Sequence, residues 1–430
     1  MDDEALGVRA AFSYSYAHLD EQQAAVFRAC GLHPGGRFST EAVGALTGLT
    51  TSTAFRILDQ LTQLSLLEAL PSRQFQMHDL LRLYAAEAAH ERRWRPESTV
   101  AVRQLVLWYL HAARAASRAI KPSPPDQTPL RAWPADVPVV TFGGRAEAYR
   151  WFAREAGAVH GIARLARDQG MLFSAWRIPV DFSHFFHCGR PLEVWIHSFE
   201  VAMEAAEASG NELRIGEAAS ELADVYARRR EPGDIERARS MALRAIDISP
   251  TPHGFTALAL VVLGTIECED NQFAGGLELC ERALVIARQA HDIAAESQAS
   301  IQIGIAQREI GYLDLAERAG ENGLEIAQRS GDLHRGAVAA LALARTYRVA
   351  DRLSLALHFC DHASDAFKQC EDTQGRAESL AERALALYAL DKVDEAWVAF
   401  TEARDRLVQE DGRVAAGYEA DWTLVSGVSA

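Results

Sequence analysis

The sequence predicts a mainly α-helical chain. A small N-terminal domain of helices and one β-hairpin leads into an α-α superhelix, a solenoid of stacked helix pairs. Three observations carry this. The stretch 211–410 repeats with a period of 40 residues. Apolar residues before residue 65 recur at helical spacing, and the period then shortens around Pro71-Ser72-Arg73. The 430 residues are 49% hydrophobic and 24% charged, the balance of a globular chain able to bury several cores.

The repeat is read from its columns. Gly264, Gly304, Ala344 and Ala384 form one small column, and Gly276, Ala316, Ala356 and Ala396 a second. Ala283, Gly323, Ala363 and Ala403 form a third. Asn271, Gly311, Asp351 and Asp391 mark a turn between two helices. Five units fit: 211–250, 251–290, 291–330, 331–370 and 371–410. In the first, Ala223 and Ala238 stand 15 apart instead of 12, and Arg229-Arg230-Glu231-Pro232-Gly233 accounts for the difference. The pattern resembles the tetratricopeptide repeat (TPR), with helices about a turn longer than its usual unit of about 34 residues.

Residues 1–95 form the leading domain. Periodicity runs through Ala5–Leu19 and Glu21–Ala29. Ser39 or Thr40 caps a helix over 41–46, which Gly48 ends. Thr51–Leu64 is a further helix with Ile57, Leu58, Leu61 and Leu64 as its apolar stripe. Ser65–Leu70 and Gln74–Met77 pair as a hairpin, and a helix runs from about His78 to Arg92. This order makes a winged helix.

The domain resembles the winged helix that follows the NB-ARC ATPase core in STAND-class regulators of the SARP/AfsR type. The residues that match are Ser15-Tyr16, Leu19, Phe27-Arg28, Gly31-Leu32, Pro34-Gly35, Phe38, Leu58, Leu61 and Phe75-Gln76-Met77-His78-Asp79-Leu80-Leu81-Arg82, with Tyr84-Ala85. Met77-His78-Asp79 stands as the family's MHD triplet. The resemblance implies that His78 reaches the β-phosphate of ADP when an NB-ARC module is present. It also implies the C-terminal portion of such a regulator, or a free-standing chain built from that portion. The bare residues allow a plainer role, with His78 capping the helix that Asp79 opens.

Residues 96–141 hold a helix, with Leu105, Trp108 and Tyr109 buried, and a Pro-rich linker over 121–140. Residues 142–210 read as degenerate helical repeats, with a break at Gly189-Arg190-Pro191. Residues 411–430 are a tail without a clear pattern.

Charge excludes some functions. The net charge is −15, of which the repeats carry −12, and no region has the basic balance of a nucleic-acid binder. The Thr51–Leu64 helix offers only Arg56, Gln60 and Gln63 to a base, so direct DNA binding is not expected. No run of 18 apolar residues exists, and the N-terminus lacks the apolar core of a signal peptide. Six cysteines without CxxC spacing suit buried thiols in the cytoplasm. His358 and His362 share a helix face, but Phe359 replaces the Glu of a zinc-protease motif. Asp181, His184, His187 and Cys188 are interleaved with three phenylalanines, so a packed helix is preferred to a metal site. No catalytic residue, cofactor or metal is expected, and the chain is not read as an enzyme.

Groove positions of the array fall six and three residues before each small residue of the first column, and one and four after. They place Gln298, Arg308, Arg345, Arg348, Glu378 and Tyr388 in a partner-binding groove, with Glu217 and Asp224 toward the irregular end. Arg308, Arg345 and Arg348 would form a ladder for an acidic protein or peptide partner. Pairing with Glu378, Glu217 and Asp224 would neutralise it. The leading expectation is the sensor and hinge part of a STAND-type bacterial regulator of secondary metabolism. A stand-alone TPR adaptor is the second reading and a peptide-responsive helix-turn-helix receptor the third.

A P-loop needs Gly-Lys-Ser or Gly-Lys-Thr, and this chain has no Gly-Lys pair. Calorimetry with ATP or ADP should therefore show no saturable heat at micromolar concentration. A stoichiometric isotherm would contradict the reading.

Overall fold

Helices of this chain end where the backbone is handed a reason to turn. In the computed structural model, residue 9 and residues 12–120, 140–189, 191–248, 251–410 and 412–426 are described. They fall into two compact units. One takes in the described residues up to Ile120, those from 140 to Ser183, and Glu193–Gly210. The other takes in His184–Leu192 and the residues from Asn211 onward. The Pro-rich linker expected over 121–140 lies, but for its last residue, outside the described residues.

The first unit opens with α1 (Glu21–Leu32), β1 (Arg37–Ser39), α2 (Thr40–Thr47), α3 (Thr51–Gln63), β2 (Glu68–Leu70), β3 (Gln74–Gln76) and α4 (Asp79–His90). Asp20 and Gln23 form a reciprocal capping box on α1. Ser39 caps α2, and Gly48 ends it at φ 70°, where a side chain is strained. Strand β3 is central, with β1 and β2 antiparallel on either side. Phe38 and Phe75 face each other across β1 and β3 and join Ile57, Leu58 and Leu61 in one core. Two expectations change here. A third strand, β1, joins the hairpin. Leu64 is 53% exposed, because α3 ends at Gln63 and turns it away from the stripe.

Then come α5 (Arg95–Ile120), α6 (Arg145–Glu155), α7 (Val159–Asp168), α8 (Leu172–Gly189) and α9 (Leu192–Ser209). Leu105, Trp108 and Tyr109 of α5 are buried. Gly161 of α7 lies so close to Pro34 that a β-carbon there would meet its ring at 2.6 Å. A buried polar chain crosses this unit. The His33 ring lies 3.1 Å from the Tyr109 hydroxyl, which donates to Glu155 at 2.6 Å. Arg154 donates to the other Glu155 oxygen at 3.0 Å.

The second unit is five antiparallel helix pairs. They are α10 (Glu212–Arg229) with α11 (Asp234–Asp247), α12 (Gly254–Glu269) with α13 (Phe273–Gln289), and α14 (Ile293–Ile310) with α15 (Leu313–Arg329). Next come α16 (Leu333–Val349) with α17 (Leu353–Gln369), and α18 (Thr373–Ala389) with α19 (Val393–Glu410). The small columns are where helices of a pair meet. A β-carbon on Gly264 would lie 2.9 Å from the Gly276 carbonyl oxygen, and one on Gly304 3.0 Å from that of Ala316. The turn column is left-handed throughout: Asn271 φ 62°, Gly311 φ 96°, Asp351 φ 58° and Asp391 φ 63°. Asn, Asp and Gly are the residues that tolerate this region. Asp292, Asp332 and Asp372, 40 apart, each cap a first helix by accepting from the N–H three residues on. A last helix, α20 (Gly412–Ser426), stands where the sequence showed no pattern.

Burial holds the His33 imidazole neutral, with its pKa lowered from 6.5 to about 4. The unfolded chain protonates it first as pH falls. This site's contribution to stability is therefore full above pH 6.5 and is lost as pH falls toward 4. His33→Asn should make the acid-side decline in unfolding free energy shallower, by up to about one bound proton. Chemical denaturation at stepped pH measures the slope. An unchanged slope would place the titration elsewhere.

Candidate functional site

The first helix of each pair turns one side to its second helix through the small column. The opposite side is left for the inner wall of the array. Six residues before the small column, four successive pairs place Leu258, Gln298, Val338 and Glu378. All four line one cavity of about 570 Å³. That size suits a small ligand or a short peptide segment. Val261 and Val262 extend its apolar floor, and Asp224 and Arg228 of α10 form a charged wall. His184 and His187 of α8, with Arg413 and Val414 of α20, complete the lining.

Polar wall residues are linked between neighbouring pairs. Arg335 donates to Asp332 at 2.6 Å and to Gln298 on the preceding pair at 3.3 Å. The His334 ring lies 3.0 Å from Asp372 on the following pair. His187 lies 3.4 Å from Asp224, which accepts from Arg228 at 2.9 Å. Burial alone would raise the Asp224 pKa. Arg228 and His187 outweigh burial and hold it below the usual carboxylate range.

The arginines expected to form an open ladder are engaged within the chain. Arg345 donates to Glu378 at 2.9 Å and to the Tyr418 hydroxyl of α20. Its Nε lies 3.6 Å from Glu382. Arg348 pairs with the same Glu382, whose side chain is 1% exposed. Arg345 and Arg348 stand i, i+3 on α16, and Glu378 and Glu382 stand i, i+4 on α18. The two faces match, so the charges satisfy one another across the helix contact. Arg308 turns to Glu309 at 2.6 Å. Of the expected groove residues, Gln298, Glu378 and Asp224 line the cavity; Arg308, Arg345, Arg348, Tyr388 and Glu217 do not. Tyr388 packs on Trp422 of α20 instead.

Other candidate residues are placed as follows. His78 is exposed and its ring accepts from the Leu80 N–H at 3.4 Å, the capping role. Gln63 donates to Asp59, and Gln23 donates to Gln60, while Arg56 is exposed. Asp181 is paired with Arg177 at 2.7 Å. All six cysteines are free thiols, and burial pushes Cys280 up to about 12. Among the described residues no helix is long and apolar enough to cross a membrane. Sequence reasoning weighed His184 and His187 only as metal ligands, and it missed Asp332, Arg335 and Arg413 as lining residues. The 40-residue spacing of the capping aspartates was the available signal for Asp332.

Fold and site together define a helical-repeat protein with a cavity on its inner wall, preceded by a small helix-and-sheet domain. Relatedness narrows the class. The regulatory protein AfsR of Streptomyces griseus is 28% identical over 244 residues, 56% of this chain and 24% of that protein. AfsR of Streptomyces coelicolor is 28% identical over 337 residues, 74% of this chain and 32% of that protein. The chain is thus homologous to AfsR regulatory proteins and spans a quarter to a third of their length. No protein-family model matches it. Among solved structures, a STAND protein with a tetratricopeptide repeat sensor from Pyrococcus horikoshii covers 97% of this chain and 66% of its own. Its TM-score is 0.44 at 15% identity.

Removing the shared carboxylate takes the hydrogen-bond partner from Arg348 and one of three partners from Arg345. Glu382→Leu should lower stability by roughly 1–3 kcal/mol. Glu382→Gln, which keeps the shape and an acceptor oxygen, should cost less. Urea unfolding separates the two, and equal values would show that packing rather than charge decides.

Proposed function

We propose that this chain is the sensor and hinge portion of a STAND-type bacterial transcriptional regulator, acting by recognition rather than catalysis. The observation that carries the reading is the single register position repeated in four pairs, which gives one groove both an apolar floor and fixed polar walls. Homology to AfsR regulatory proteins supports a regulatory role. The N-terminal domain is the hinge and is a winged helix: helix, strand, two helices and two strands in order, with β3 central, support that assignment. Its α3 offers too little positive charge to read DNA. His78, exposed at the start of α4, is accessible to a separate NB-ARC module. The groove takes a protein or peptide partner, and the regulated genes belong to secondary metabolism. Thiols kept inert by burial suit the cytoplasm.

Val338→Arg puts a charge into the cavity floor with little change at the outer surface. In the native host, deletion of the gene should change transcripts of a secondary-metabolite cluster. The wild-type gene should restore them, and the Val338→Arg gene should not, although that chain melts within a few degrees of the parent. Full restoration by the variant would remove the groove from the mechanism. No transcript change on deletion would remove the regulatory role.

A further inference from the structure

Helix α20 does not continue the solenoid. In a stacked array each pair touches only its neighbours. Yet Arg413 of α20 donates to the Arg228 carbonyl of α10 at 2.9 Å, across 185 residues. Tyr418 meets Arg345 in the next-to-last pair. Both contacts require α20 to lie over the inner wall, where Arg413 and Val414 line the cavity.

The contact is amphipathic and aromatic. Val414, Tyr418 and Trp422 are spaced four apart and form one helix stripe. Trp422 is 1% exposed, stacked on Phe400 at 4.4 Å with Tyr388 against its edge. The grip is imperfect. The indole N–H of Trp422 is buried without an acceptor among the described residues, and an unpaired buried donor weakens the state that buries it. On the opposite side Leu424 is 84% exposed. A segment that lies over the inner wall, touches Arg345 and carries a built-in mismatch has the features of a displaceable occupant.

We infer that α20 is a self-ligand: the inner wall is a docking site for an amphipathic helix with aromatic residues four apart, and α20 fills it until a partner helix of that pattern displaces it. This rests on the reading of the inner wall as the recognition surface. The partner's tyrosine takes the Arg345 guanidinium. Its second aromatic enters between Phe400 and Tyr388. A phenylalanine there escapes the unpaired N–H, which gives the partner its advantage over the resident helix. The cavity beyond Arg413 opens when α20 leaves, so docking and access to the cavity are one event.

Native-state hydrogen exchange on the full chain tests the release. The amides of 412–426 should exchange roughly 100-fold faster than those of α18 under conditions where the array stays folded. Exchange of α20 only in step with global unfolding would overturn the inference and make α20 a fixed cap. The second arm uses a fluorescent synthetic peptide of residues 412–426. It should bind the full-length Trp422→Ala chain and bind the parent roughly tenfold more weakly. Equal binding to both, or binding to neither, would overturn it. If Trp422→Ala loses its cooperative melt, the Arg413→Gln/Tyr418→Phe chain takes its place with the same expected order. No cellular partner is needed, so these results stand or fall apart from the transcript experiment.

Discussion

The rest of the array depends on the distance at which two helices of a pair can cross. At Gly264 and Gly276 the backbones meet with no room for a β-carbon on either side. Ala283 and Ala287 of α13, Ala295 and Ala299 of α14 and Leu260 of α12 fill the space between pairs in one buried cluster. The side of the first helix that faces away from the crossing is thereby fixed, and with it the groove. Small residues act here as rulers: they set how far each pair is wound relative to the next.

Much of this was legible in the sequence because it is local or periodic. A left-handed turn selects Asn, Asp or Gly, so the column Asn271, Gly311, Asp351 and Asp391 reads directly as backbone geometry. A close crossing selects Gly or Ala, so the register follows, and four of the cavity positions follow from the register. What was not legible is set by contacts between distant residues. Strand β1 is three residues long and exists because β3 is beside it. Helix α20 lacks internal periodicity, since its stripe is defined by what lies beneath it. The pairing of Arg345 and Arg348 with Glu382 depends on the offset between α16 and α18, which spacing within one repeat does not specify. Gln298, Glu378 and Asp224 line the cavity, while the free charge expected of Arg345 and Arg348 was overestimated for that reason.

The first unit uses a different device. His33, Tyr109 and Glu155 come from the end of α1, the middle of α5 and the end of α6, and all three are buried. Each satisfies the next, so the polar chain tolerates burial only while the three elements keep their places. An apolar contact would permit sliding; this one does not. The three elements are thereby held in place relative to one another.

Three of the links between neighbouring pairs run along the first helices. Arg335 to Gln298, His334 to Asp372 and Arg345 to Glu378 each span one step of the solenoid. They act as stitches along the inner circumference of a coil. Tightening them shortens that circumference and raises the curvature; loosening them lets the coil unwind toward a straighter rod. The radius of this superhelix is therefore partly an electrostatic quantity, and because the stitches are mostly buried, salt screens them little; a charged molecule that competes for one stitch would act on the bend of the coil as well as on the place where it binds.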